Sequence, residues 1–371
     1  MRGMSHDTQL RLFAEAGHDV HAVVPLPWAP RRWLAGRSVP AEERDGAIVV
    51  THPRYPRVPH ALGGAAHALE RRLFARAAAS GLAAGMPKPD VVLAHSASLP
   101  GGLLGRTGNA VFVVSLYDHE LYDWAPSSTT LRDRVVRTLR GADCAVYLSE
   151  ALRTYAIELA GPHRNVVIPL GIETHASPAE PPQRFTVCTV TRLLARKRVD
   201  SVIRAFARLG AERPDARLVI VGDGPEHEAL ETLVRTLGIA GKVELTGSLD
   251  ARAAQEQMAR ASVMALPSIR ESLGAVYLEA MSLGVPALGT RGEGIEEHID
   301  HGVDGLLVPP GDEGALLAEL KALAADPDRA RRIGEAGRRR FLAGPFSWRT
   351  NVASYLSLFE ELSRGRATHT T

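Results

Sequence analysis

Lysine is almost absent from this chain. Of its 44 basic residues only Lys88, Lys197, Lys242 and Lys321 are lysine and 40 are arginine, so a lysine here is a less casual choice than usual. Cysteine is as scarce. Cys144 and Cys188 each sit inside an apolar run that reads as a strand, where a free thiol behaves as a small hydrophobe. That excludes a disulfide framework and fits a reducing cytoplasm. Charge of one sign is lacking too: the formal net charge is +2, with no zinc-spaced Cys/His cluster and no aromatic-basic RNA motif, which argues against nucleic acid as a partner. No stretch approaches the roughly 18 to 20 uninterrupted apolar residues of a membrane span. The N-terminus has no basic segment followed by an apolar signal core. The expectation is a cytoplasmic protein, soluble or at most peripheral at the inner face of the membrane.

What is present suits globular cores. The apolar share is 45%, and 371 residues exceed the size at which one core keeps growing, so two domains are expected. From Phe185 onward, short apolar runs (Phe185 to Val190, Leu218 to Val221, Val243 to Leu245, Val263 to Leu266, Ala287 to Leu288, Leu306 to Val308) alternate with helical patterns. That rhythm predicts a parallel, doubly wound α/β sheet. The first half repeats it less cleanly, with strands expected at Val20 to Val24, Ala47 to Val50, Val91 to Leu93, Val111 to Val114, Ala145 to Leu148 and Val166 to Ile168. Three prolines in the polar stretch Glu173 to Gln183 mark a linker. The organisation expected is therefore a first domain over 1–173, a linker over 174–184, a second domain over 185–344, and a final helix and tail over 345–371 packing at the junction. The chain opens on a helix from Ser5 to Ala16 rather than on a strand. Either a first strand is missing or the true start lies upstream.

The segment PSIRESLGAVYLEAMSLGVP (Pro267 to Pro286) carries a loop with Glu271 into a helix expected from about Leu273 to Leu283, stopped by Gly284 and Pro286. First-turn N–H groups near Leu273, Gly274 and Ala275 would lack intrahelical partners and carry the positive end of the helix dipole, a ready site for a diphosphate. Glu271 and Glu279 are eight residues apart, about 12 Å at ~1.5 Å per residue. That is roughly the span from a sugar, across a diphosphate, to a ribose, and carboxylates accept hydrogen bonds from sugar hydroxyls. Upstream, the strand ending at Thr191 runs into Arg192 and Lys197, at the carboxyl edge where open α/β sheets bind ligands. Both cations would stabilise charge growing on a departing nucleotide diphosphate.

The region Phe185 to Leu320 resembles the C-terminal domain of the retaining glycosyltransferases of family 4, which have the two-domain GT-B fold: two Rossmann-like domains facing a central cleft. TRLLARKRVDSVIRAF is similar to that family's arginine-lysine segment, LVIVGDGPEHEAL to its second strand-turn-helix, VELTGSLD to its nucleobase-side loop, and ESLGAVYLE to its E-x7-E motif. The tail MSLGVPALGTRGEGIEEHIDHGVDGLLVPPGD follows the same pattern, and the likeness extends more weakly over the first half. Within the family, THPRYPRVP, VYLEAM and GEGIEE are most like enzymes of teichuronic acid and exopolysaccharide assembly. The resemblance implies transfer of a hexosyl unit, with retention, from a UDP- or GDP-sugar to a saccharide, lipid-linked glycan or small-molecule acceptor. No cofactor and no obligatory metal are expected, and the sequence shows no convincing Asp-x-Asp metal site. Glu271 would contact the hexose, Glu279 the ribose, Arg192 and Lys197 the diphosphate, and the backbone of Gly247, Ser248 and Leu249 the base.

In the first half, His95 follows one strand, and Asp118, His119 and Glu120 follow the next, where the family often shows a His-Gly-x-Asp-like sequence. His119 is the candidate that meets the donor sugar or acceptor, with His95 and Asp118 on the acceptor side. Of the family's N-terminal Gly-Gly loop only Gly3 remains. Arg198 and Thr191 stand where the family commonly has glycine. Leu69 to Arg76, with Arg31, Arg32 and Trp33, could form a basic amphipathic surface for an anionic membrane, against the plainer reading of a solvated helix face. Two alternatives to a transferase stay open: a truncated GT-B module that binds nucleotide or a partner without turnover, and a sugar-nucleotide epimerase.

Overall fold

The computed structural model describes residues 4–28, 40–56, 69–70, 72–74, 76–80, 88–96, 108–117, 119–178 and 182–367. The chain forms two compact units. One holds Met1–Leu148, Leu152–Ile168 and Trp348–Thr371, and the other Ser149–Ala151 and Pro169–Ser347. The division thus falls at Pro169, ahead of the expected linker. Much of that proline-rich stretch is anchored to the second unit: the N–H groups of His175 and Ala176 donate to Gln255 Oε1 at 2.6 and 3.3 Å, and Gln255 Nε2 donates to the Glu173 carbonyl at 2.8 Å. The final helix belongs with the first unit. Among the described residues, no helix is long and apolar enough to cross a membrane.

In the first unit, helix α1 (Met4–Glu15) precedes β1 (Val20–Val23), β2 (Leu26–Trp28), β3 (Glu42–Asp45), β4 (Ile48–Thr51) and β5 (Arg54–Pro56). β1 pairs parallel with β4, β3 lies antiparallel on β4, and β2 pairs with β5. A parallel sheet of β6 (Val91–Ala94), β7 (Val111–Ser115), β8 (Cys144–Tyr147) and β9 (Asn165–Val167) comes next, in simple order. Helices α2 (Thr129–Gly141) and α3 (Glu150–Ala160) supply crossovers. Every residue of β7 and β8 is buried, and the two-residue period sorts them by face. Phe112, Val114, Ala145 and Tyr147 enter one core, while Val111, Val113, Cys144 and Val146 enter the other with Phe13 of α1 and Tyr355 of the C-terminal helix Trp348–Ala367. Burial pushes the Cys144 thiol up to about 11, in keeping with an inert core residue.

The second unit is one six-stranded parallel sheet, built from β10 (Thr186–Val190), β11 (Arg217–Val221), β12 (Val243–Gly247), β13 (Val263–Ala265), β14 (Ala287–Thr290) and β15 (Leu306–Val308). Its spatial order is β12-β11-β10-β13-β14-β15, the doubly wound arrangement. Helices α4 (Val199–Glu212), α5 (His227–Thr236), α6 (Ala251–Ala259), α7 (Ala275–Ser282), α8 (Glu313–Ala325) and α9 (Pro327–Ala343) pack around it. α4 shows why: Val199, Val202, Ile203, Phe206 and Leu209 recur at helical spacing and are all buried. The strand order decides where a ligand can enter, because the direction of strand addition reverses between β10 and β13. Loops leaving the carboxyl ends of those two neighbours turn to opposite faces and leave a crevice.

Candidate functional site

Both loops at the crevice carry charge. After β10, Ala195–Lys197 forms a single 3-10 turn, and Arg198 leaves it with φ 52°, a left-handed conformation that explains why glycine would be at ease there. After β13 runs Leu266 to Gly274. The two loops are stitched together: Ile269 N–H donates to the Arg196 carbonyl at 2.9 Å, and Arg196 Nη1 donates to the Arg270 carbonyl at 2.8 Å.

This stitching brings Lys197 onto Glu271. The ammonium makes an ion pair with Glu271 Oε2, which also accepts from Ser268 Oγ at 3.0 Å. Glu271 is 4% exposed, so its charge is tolerated only because it is paired and hydrogen-bonded. Tyr277, completely enclosed, donates its hydroxyl to the Leu266 carbonyl and lies 3.0 Å from Ser268 Oγ. Burial first, and the Glu271 charge second, hold its phenol neutral well above the usual tyrosine range.

The helix after Glu271 starts two residues later than the spacing predicts, at Ala275. Gly274 is the reason. It caps the helix at φ 69°, and a Cβ there would lie 2.3 Å from the Tyr277 ring, so glycine is demanded by its own backbone and its neighbour rather than by a ligand alone. The eight residues from Glu271 to Glu279 are consequently not helical throughout. The N–H groups of Leu273, Gly274 and Ala275 donate to no acceptor among the described residues, which leaves three donors at the positive end of α7. Glu279, on α7, is half-buried and without a hydrogen-bond partner among the described residues, and burial raises its carboxyl from 4.5 to about 7.

Beside the crevice, Val190, Thr191, Arg192, Gly222, Ser248 and Leu249 help line a pocket of about 360 Å³. Arg192 is exposed at its edge. Gly247 ends β12 at φ 71°. The close approach of β10 and β11 at this pocket requires Gly222, where a Cβ would sit 1.8 Å from the Thr191 carbonyl oxygen.

One residue of this site escapes the sequence reading. Glu293, after β14, accepts from the backbone N–H groups of Arg270 and Glu271 at 2.9 and 2.7 Å. Its signals are its place in the segment GEGIEE, quoted above without a role for this residue, and the bracket Gly292-Glu293-Gly294, a charged residue between two glycines in a loop.

In the first unit, the His95 ring is half-buried with Nδ1 3.2 Å from the Tyr117 hydroxyl, whose pKa burial raises to about 12. Glu120, 1% exposed, accepts from Ser96 Oγ at 2.7 Å. His119 opens the π-helical turn His119–Trp124. Asp118 and Gly3 lie outside the described residues.

Comparison with known proteins covers both halves. The family description "Glycosyl transferases group 1" matches residues 172–340, and "Glycosyltransferase Family 4" matches residues 7–176. The chain is 32% identical over 282 residues, 70% of its length and 73% of the relative's, to a GDP-mannose-dependent alpha-(1-6)-phosphatidylinositol monomannoside mannosyltransferase of Mycolicibacterium smegmatis. It is 42% identical over 142 residues, 38% of the chain and 36% of the relative, to an N-acetyl-alpha-D-glucosaminyl L-malate synthase of Bacillus anthracis. Among solved structures, sucrose-phosphate synthase from Thermosynechococcus elongatus superposes with TM-score 0.82 over 98% of this chain and 94% of that one, at 20% identity. Anabaena HepE in complex with UDP and glucose superposes with TM-score 0.72 over 97% and 96%, at 19% identity. The paired lysine and glutamate thus lie at the switch point of a GT-B fold, and the chain belongs to the group 1, family 4 glycosyltransferases.

Proposed function

We propose that this chain moves a hexosyl unit, with retention and without an obligatory metal, from a UDP- or GDP-sugar to a saccharide, lipid-linked glycan or small-molecule acceptor. The observation that carries the reading is the Lys197–Glu271 pair at the β10/β13 switch point, flanked by the three free N–H donors that open α7.

A diphosphate seated on those donors brings its negative charge to Lys197 and to the exposed Arg192 guanidinium. As the bond from the sugar C1 to the diphosphate oxygen breaks, the electron pair goes to that oxygen, and the two cations stabilise it. Glu271 then faces the hexose, whose hydroxyls donate to its carboxylate. The acceptor hydroxyl forms its bond to C1 on the face the diphosphate leaves, and its proton passes to the departing phosphate oxygen. Glu279 takes the ribose hydroxyls, and Gly247 to Leu249 line the side where the base sits. On the acceptor side the candidates are His119, His95, Asp118 and Gly3.

The names of relatives bear on acceptor and place. A phosphatidylinositol monomannoside mannosyltransferase acts on a lipid-linked acceptor by its name, which supports contact with a membrane surface, and the proposed place is the cytoplasm at the inner face of the membrane. The resemblance of THPRYPRVP, VYLEAM and GEGIEE to segments of teichuronic acid and exopolysaccharide enzymes is our ground for proposing a glycan acceptor of that kind. In domain terms, the first unit serves the acceptor and the second the nucleotide sugar.

The test is nucleotide-diphosphate release by purified protein over a panel of UDP- and GDP-sugars and acceptors, with the product anomer read by NMR. Retention is expected. An inverted anomer sinks the mechanism, and undiminished transfer by Glu271→Ala or Lys197→Ala sinks the site. Tight donor binding without turnover under every condition would leave the non-catalytic module as the better account.

A further inference from the structure

We infer that Glu293 is a positioning residue: its carboxylate latches the Arg270–Glu271 backbone, and that latch sets where the Glu271 carboxylate stands for the sugar. The inference rests on the glycosyl-transfer reading of the site and concerns a side chain to which the sequence reading gave no role.

Several contacts converge on one stretch of backbone. Glu293 Oε1 accepts from Arg270 N–H at 2.9 Å and Oε2 from Glu271 N–H at 2.7 Å. From the other side, Gly294 N–H donates to the Glu271 carbonyl at 3.1 Å. Glu271 is therefore held by its main chain at both its N–H and its C=O, through two consecutive residues of a different loop. Arg270 needs the hold. It stands at φ 56°, a left-handed conformation that an arginine adopts at a cost of roughly 1 to 2 kcal/mol, and a backbone so placed persists only when its surroundings fix it.

The flanking glycines make the latch possible. A Cβ on Gly294 would sit 1.7 Å from the Ser272 carbonyl oxygen and 2.9 Å from Ser149 Oγ, so only glycine allows the two loops to approach this closely. Gly292 turns the chain at φ 79° with open space around it, and its N–H donates to Glu296 Oε2 at 2.7 Å. Glycine on each side thus folds a single glutamate back onto the neighbouring loop.

Charge fits the same role. Burial raises the Glu293 pKa above the ordinary carboxylate value, the hydrogen bonds from Glu271 and Arg270 N–H work against that, and of the charged groups Glu271 opposes and Arg196 favours the ionised form. The enclosed Tyr277 phenol also feels it. Lys197 pairs with the Glu271 carboxylate, so the second carboxylate at these loops does not stand against an unpaired first. A charged acceptor makes stronger hydrogen bonds to N–H than a neutral one, so the carboxylate holds this backbone better than an amide could.

The experiment compares wild type with Glu293→Gln and Glu293→Ala at pH 7. Amide hydrogen exchange at Arg270 and Glu271 is measured in the protein without donor, alongside steady-state transfer and binding of free UDP and GDP. Loss of a charge-assisted bond speeds exchange at those two amides about tenfold or more, with Ala exceeding Gln. A displaced Glu271 lowers kcat about ten- to a hundredfold, while nucleotide-diphosphate affinity stays at the wild-type value. Wild-type exchange at both amides in the variants overturns the latch. So does faster exchange spread over the whole second unit, which would make Glu293 an ordinary stability residue. If the wild type transfers no sugar, the transfer reading fails while the exchange arm still decides the latch.

Discussion

Replacing Glu279 by glutamine gives the most direct handle on the charge state of the site. Glu279 sits on α7, whose Leu278, Ala280 and Met281 are all buried, and finds no partner among the described residues. Burial alone raises it from 4.5 to about 7. Between those values the folded chain keeps a proton that the unfolded chain has released, so stability falls as pH rises, by about 1.4 kcal/mol per pH unit, and levels off above pH 7. The full loss is up to about 3 kcal/mol. Glutamine is neutral throughout and escapes it. Urea unfolding of wild type and Glu279→Gln at pH 5 and pH 8 reads the difference as a shift in midpoint. The variant gains on the wild type from pH 5 to pH 8. A ribose diol donating to the ionised carboxylate should also make binding of a nucleotide-sugar diester tighten as pH rises through 7 in the wild type, with a flat profile in the variant. A stability offset identical at both pH values would refute the burial argument, and a wild-type binding profile as flat as the variant's would refute the ribose assignment.

Lys197→Met strands the buried Glu271 charge and should cost about 3 to 5 kcal/mol. The double variant Lys197→Met with Glu271→Leu should recover much of that in thermal unfolding while both remain without transfer. Gly294→Ala forces its Cβ into the Ser272 carbonyl and should lower the melting temperature far more than Gly292→Ala, which meets only backbone strain of about 1 kcal/mol; equal effects would contradict the packing. Arg198→Gly relieves a left-handed φ of 52° but loses hydrogen bonds to Ser201 and Asp200. Its melting temperature should therefore stay near the wild type's, whereas Arg198→Val, β-branched at the same φ, should fall clearly below it.

How far the sequence can be read depends on which signal each element carries. β7 and β8 are apolar at every position and flanked by polar turns, so their existence is plain. β3 is different: EERD is polar and exposed, and it is a strand only because β4 offers its edge. β2 and β5, each three residues with a proline, also pair only with each other. The start of α7 departs from the pattern for a local reason, the left-handed Gly274, which pattern alone reads as another helical residue. Arg192, Lys197, Glu271 and Glu279 are visible because their types and spacing suit a sugar nucleotide. Glu293 is not, since its function is to grip main-chain atoms some 20 residues away in another loop, and nothing in a one-dimensional pattern reports that.

The sequence by itself determined the alternation of strands and helices, the burial of both cysteines, and the candidates for a donor site, because these derive from local polarity, period and chemical type. Tertiary structure decided the rest. Only the reversal of strand order between β10 and β13 puts the Lys197 loop against the Glu271 loop, and only their hydrogen bonds join a lysine and a glutamate 74 residues apart into a buried pair. The strength of that pair depends on the exclusion of water, and exclusion of water is a property of packed surfaces rather than of any stretch of chain.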